Sequence, residues 1–161
     1  MGPGRDCYNE TLLTYYHNHR LLRGDTVMAQ ITKEMVLAMH EDLIRTGGQV
    51  HGVLYEGTID YIVEEINFAP GVYAKATWAL YMSRYHPFFD GNKRTSFVLA
   101  ATILRMSGHY LGRKDEDEIV DALQRISDTE KDCEKERIEA WLKKKSKIWF
   151  KARQRSIYDY F

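Results

Sequence analysis

An all-α fold is predicted by three observations. Apolar residues recur at three- and four-residue spacing in segment after segment, only three prolines interrupt 161 residues, and a single stretch, Gln49 to Gly57, breaks the helical pattern. Hydrophobic residues make up 44% and charged residues 29%, the balance of one globular domain able to bury a core. Lysine plus arginine and aspartate plus glutamate each total 23, so no global field draws the molecule to nucleic acid or membrane. Any such partner has to be met by a local patch.

The elements follow in order. Glu10 to Leu22 reads as an N-terminal helix within an extension over residues 1–30. Thr32 to Arg45 opens on a threonine cap, sets Met35, Val36, Met39 and Leu43 on one face, and stops at Gly47-Gly48. In QVHGVLYEG, β-branched and aromatic residues between glycines predict a short extended flap or hairpin. Thr58 to Phe68 carries Ile59, Ile62, Val63 and Ile66 at helical spacing and closes at Ala69-Pro70-Gly71. Val72 to Tyr85 forms the next helix and ends at His86, because Pro87 restricts the residue before it. Ser96 to Met106 is apolar almost all round and predicts a buried central helix that Gly108 terminates. Two further amphipathic segments hold Ile119, Val120, Leu123 and Ile126, then Ile138, Trp141 and Leu142, completing a core over residues 31–142. From Lys143 to Phe161 the chain is basic with interleaved aromatics; an amphipathic helix with a frayed end is the first reading, an RNA or acidic-protein contact the second.

Cys7 and Cys133 fit neither a metal knuckle nor a secreted disulfide framework, the most apolar stretch, Phe97 to Leu104, is too short for a bilayer, and no apolar signal core opens the chain. A cytoplasmic protein without a membrane partner is expected.

The chemistry concentrates in HPFFDGNKRTS, His86 to Ser96. Gly91-Asn92 stands where the chain turns into the central helix, whose N-terminus offers unpaired N–H groups and a positive dipole end to an anion. Glycine lets a phosphate approach the backbone, and asparagine tolerates the left-handed conformation that an anion nest uses. Lys93 and Arg94 stand at the electrostatically wrong end of a helix for cations, which fits a bound phosphate. Asp90 suits Mg2+ as a hard oxygen ligand, or caps the helix. His86 has the intrinsic acidity to take a proton from a hydroxyl near neutral pH. Phe88 and Phe89 are expected in the core. His17, His19, His40, His51 and His109 show no ligand spacing and receive no function.

HPFFDGNKRT resembles the signature of the Fic/Doc superfamily, roughly H-P-F-x-[D/E]-G-N-[G/K]-R, and the ITKEMVLAMHEDLI and EGTIDYIVEEI segments look like its death-on-curing branch. The resemblance spans about Ile31 to Ile126. It implies a compact all-α bundle in which the signature loop joins two helices and a small β-hairpin flap lies near the loop. It further implies that His86 is the general base, that Phe88 anchors the loop and that Asp90 holds Mg2+. The backbone of Gly91 and Asn92 would form the anion nest, with Lys93 and Arg94 on phosphates of ATP. Val53, Leu54 and Tyr55 would be a flap that aligns a target peptide by strand pairing.

Lysine after the asparagine is the death-on-curing choice, whereas AMP-transferring members carry glycine there. The resemblance therefore leads to phosphoryl transfer onto a Ser, Thr or Tyr hydroxyl of a protein. AMPylation is the alternative, since those toxins often carry alanine where this chain has Gly91. The family's inhibitory pattern S/T-x-x-x-E-G/N is absent, because Glu56-Gly57 is preceded four positions earlier by Gly52. Restraint by an antitoxin or other inhibitor in trans is implied. A non-catalytic Fic-like module that binds through its basic tail is the remaining reading.

Overall fold

The computed structural model describes residues 30–47, 50–111, 116–128 and 134–148. The Glu10 to Leu22 segment, His17, His19, both cysteines and residues 149–161 of the basic tail lie outside the described residues. Six helices and one two-stranded antiparallel sheet are present among them: α1 (Lys33–Gly47), α2 (Glu56–Phe68), α3 (Val72–Tyr85), α4 (Asn92–Met106), β1 (His109–Tyr110), α5 (Glu116–Asp128), α6 (Glu134–Lys145) and β2 (Lys147–Ile148). The all-α class is as the sequence predicts. No helix among the described residues is long and apolar enough to cross a membrane.

α3 and α4 form the axis. α3 packs against α2, α4, α5 and α6, and α1 covers α4 and α2. α4 is central because Val98, Leu99, Ala100, Ile103 and Leu104 are all buried, with Thr102 returning its hydroxyl to the Val98 carbonyl at 2.8 Å. Each large aliphatic side chain so buried contributes about 1.5–3 kcal/mol. α1 opens at Thr32, whose Oγ1 accepts the Met35 N–H at 3.2 Å, and buries Val36, Met39, Leu43 and Ile44. α2 presents Ile59, Ile62 and Ile66 to the core. Its last carbonyls accept from Lys75 Nζ, to Ile66 O at 2.9 Å and Asn67 O at 2.8 Å, and burial holds the Lys75 ammonium below its ordinary pKa. α6 is fastened to α3 by Lys135, whose Nζ lies 3.7 Å from the Trp78 ring centroid and 4.8 Å from that of Tyr81. Such a cation on aromatic faces is worth about 0.5–2 kcal/mol.

Two features differ from the sequence reading. The sheet pairs His109 with Ile148 and Tyr110 with Lys147, so the start of the basic tail ends α6 and then forms a strand. Lys145 there pairs with Glu118 at 3.1 Å, and Glu118 also accepts the Trp141 indole N–H at 3.0 Å. The 50–55 stretch, by contrast, is no hairpin: it makes one antiparallel bridge, Val53 with Phe88. It pairs with the signature loop itself, whose Pro87 carbonyl and Phe89 N–H satisfy its backbone groups.

Candidate active site

The loop from His86 to Gly91 is held open by two left-handed residues. His86, at φ 46° and ψ 56°, ends α3 and is the only non-glycine residue with positive φ among the described residues. That conformation costs an L-residue roughly 1–2 kcal/mol, and it turns the chain sharply away from α3 into Pro87. Gly91, at φ 76° and ψ 16°, makes the opposite corner, and its carbonyl accepts the Thr95 N–H at 2.9 Å as α4 begins.

Between these corners most of the backbone groups are tied down. Phe88 is buried at the base of the loop. The Asn92 side chain accepts the Phe88 N–H through Oδ1 and donates through Nδ2 to the Phe88 carbonyl, both at 2.9 Å. Leu54 and Tyr55 N–H donate to the Pro87 carbonyl at 2.7 and 3.1 Å, and the Phe89 N–H donates to the Gly52 carbonyl at 3.2 Å. Asp90 Oδ1 accepts the Gly91 N–H at 2.7 Å. His40, buried on α1, lies flat on Phe88 with ring centroids 3.7 Å apart and planes 5° apart, and its Nε2 is 2.8 Å from the Asp90 carbonyl. A carbonyl only accepts, so Nε2 carries the proton. Burial holds the His40 pKa below its ordinary value, partly offset by this bond.

A pocket of about 390 Å³ opens over this loop, lined by His86, Phe89, Asp90, Gly91, Asn92, Lys93 and Arg94. It is of the size that small-ligand sites have, about 300–1,000 Å³. No side chain caps the N-terminus of α4, so its first-turn N–H groups are left for another partner at the pocket. Anions bind at such an end through the aligned dipoles and the N–H groups together.

The structure brings six of the sequence-predicted residues to one pocket: His86, Asp90, Gly91, Asn92, Lys93 and Arg94. Phe88 lies beneath it. Phe89 corrects the expectation of a core residue: it is 60% exposed and forms a wall, because its N–H is drawn to Gly52 and its ring is turned outward. Asn92 is also corrected, in its conformation. It is helical, the left-handed residues are His86 and Gly91, and its amide serves to hold Phe88. Lys93 reaches α5 and donates to the Gln124 amide oxygen, a neutral partner that leaves the ammonium its charge. Val53, Leu54 and Tyr55 stand beside the loop without lining the pocket, with Tyr55 56% exposed.

Sequence reasoning missed His40. The available signal was its place on the apolar face of α1, four residues after Val36 and three before Leu43: a titratable ring in a core stripe calls for a polar partner inside the fold.

A Mg2+ ion fits the donor set only in company. Among the described residues no three His, Cys, Asp or Glu side chains are grouped to hold a metal, and Asp90 is the one carboxylate on the pocket. Mg2+ is commonly held by one or two carboxylates together with phosphate oxygens and water, so Asp90 suffices if phosphates supply the rest.

The Fic/DOC family model matches residues 30–104, from the start of α1 through most of α4 and thus the whole pocket. Searches of curated proteins and of solved structures found no match. The match over residues 30–104 supports the Fic/Doc superfamily as the one to which this chain is similar.

Proposed function

We propose that the protein is a Fic-type transferase that moves a phosphate-containing group from ATP to a hydroxyl of a target protein, with phosphoryl transfer as the leading reaction. The observation that carries this reading is the convergence of His86, Asp90, Lys93, Arg94 and the uncapped N-terminus of α4 on one pocket. A general base, a hard cation ligand, two fixed cations and an anion-binding helix end are the parts that such a transfer uses.

In this reading the α4 N–H groups, Lys93 and Arg94 bind and orient the phosphates. Asp90 would hold Mg2+ with them, and the ion, when bound, supplies charge neutralisation on the phosphate oxygens. His86 accepts the proton of the target hydroxyl as that oxygen bonds to the γ-phosphorus and the bond from this phosphorus to the β,γ-bridging oxygen breaks. ADP leaves with the electron pair. Leu54 and Tyr55 have committed their N–H groups to Pro87, so contact with a target there falls largely to the exposed side chains of Val53, Leu54, Tyr55 and Phe89. An antitoxin-like protein in trans is the expected restraint, and the cytoplasm the expected setting.

AMP transfer is the second reading, favoured by Gly91, which leaves the loop corner bare where a phosphate passes. There the target oxygen bonds to the α-phosphorus and pyrophosphate leaves. Parallel reactions in a cell lysate with Mg2+ and ATP labelled at the α- or γ-phosphate, for wild type and His86→Ala, separate these readings. His86-dependent γ-label on a discrete protein is the expected result; α-label instead establishes AMP transfer. No label together with no ATP binding leaves the non-catalytic module. For that module, a truncation testing RNA binding by the tail belongs after Ile148, because a cut at Leu142 also removes β2 and Lys145.

A further inference from the structure

We propose that His40 is a positioning residue for the pocket: by donating Nε2–H to the Asp90 carbonyl it fixes the peptide between Asp90 and Gly91, and with it the cation-binding carboxylate. The proposal rests on the transferase reading for its catalytic consequence, but its structural half stands on geometry alone.

The Asp90–Gly91 peptide is gripped at both ends. Its carbonyl accepts from His40 at 2.8 Å, and its N–H donates to the Asp90 carboxylate Oδ1 at 2.7 Å. The second bond is local, made by the residue to its own neighbour, and travels with the peptide when the plane rotates. The His40 bond does not, since it reaches across from α1, fifty positions earlier in the chain. Rotating the plane therefore breaks the His40 bond, swings the Gly91 N–H and pulls the Asp90 carboxylate with it. The remaining loop bonds act on Pro87, Phe88 and Phe89 and do not reach this peptide.

His40 is itself held rigidly. It is only 3% exposed and stacks almost parallel on Phe88, so the ring that anchors the loop also aims the donor. With Oδ1 accepting the Gly91 N–H, the direction of the whole carboxylate, including the Oδ2 it offers to a cation, depends on the peptide that His40 fixes. Partners of this kind, one step removed from a metal or phosphate, typically change affinity or activity by about 10–100-fold when lost.

Two variants separate the donor from the ring. His40→Phe keeps a ring to stack on Phe88 but has no N–H, whereas His40→Gln offers an amide donor at similar reach without the ring. The full chain is followed by amide hydrogen exchange and by label transfer from Mg·ATP. The expected result is that His40→Phe speeds exchange at Gly91 about tenfold, as the loss of one hydrogen bond allows, with Leu99 in α4 unchanged. In the same variant His86-dependent transfer falls about 10–100-fold in kcat/KM for Mg·ATP, and His40→Gln restores most of both. Wild-type Gly91 exchange and transfer in His40→Phe would overturn the proposal. So would equal damage in both variants, which would make the ring and not the donor the essential part. If wild type transfers neither label, the transferase reading fails, and Gly91 exchange still decides whether His40 holds the loop.

Discussion

The two ends of α4 are built on opposite plans. At the C-terminus Ser107 N–H returns to Leu104 O at 3.1 Å, Gly108 N–H to Arg105 O at 3.0 Å, and Arg105 supplies a cation where the helix dipole favours one. At the N-terminus no side chain caps the helix, no acidic residue stands in the first turn, and Lys93 and Arg94 place two cations against the dipole. One end satisfies itself. The other has no side-chain cap of its own, and in the proposed function a phosphate completes it, so on that reading the contrast within a single helix separates stability from binding.

The comparison is broken or sharpened by changes at each end, and the largest effect belongs to the N-terminal side. His86→Ala should lower label transfer by roughly a hundred- to ten-thousand-fold, while Arg105→Ala leaves transfer within a factor of two or so of wild type; equal losses would erase the distinction. Asn92→Ala should cost about 2 kcal/mol in denaturant unfolding, because both backbone groups of Phe88 lose their partner. Gly91→Ala and Gly108→Ala sit at φ 76° and 78° and should each cost about 1–2 kcal/mol by the same strain. Only Gly91→Ala should also weaken Mg·ATP binding, as measured by calorimetry. The smallest effects test the dipole itself. Without nucleotide, Lys93→Glu should stabilise and Arg105→Glu destabilise by about 0.3–1 kcal/mol each at low salt, in thermal melts. With Mg·ATP the gain from Lys93→Glu should disappear.

How much of this was legible depended on the distance over which each feature is specified. α3 runs from Val72 to Tyr85 as its pattern indicates, because its end is written locally in His86-Pro87. α2 begins at Glu56, two residues ahead of the periodic stretch, since apolar spacing marks a helix's face and not its first turn. The pocket residues were readable because they are contiguous, so a single loop carries them together. His40 was not, as its partner lies in another element. The short sheet also escaped, because two-residue strands carry no alternation to detect. The 50–55 stretch was recognised as extended, but sequence does not say which neighbour takes its hydrogen bonds, and the signature loop took them.

The pairing of β1 with β2 has a consequence for how the chain folds. These strands join the exits of α4 and α6, so the whole α5–α6 excursion lies inside one closed loop. Closing a long loop requires its entropy to be lost before the contact gives any return. The α3–α4 axis and the signature turn join sequence neighbours and should form early, whereas the β1–β2 clasp should form last. Once shut, the clasp makes α5 and α6 open together as one cooperative unit. Lys93 touches that unit through Gln124, so the pocket over the signature loop would be finished only in the last step of folding.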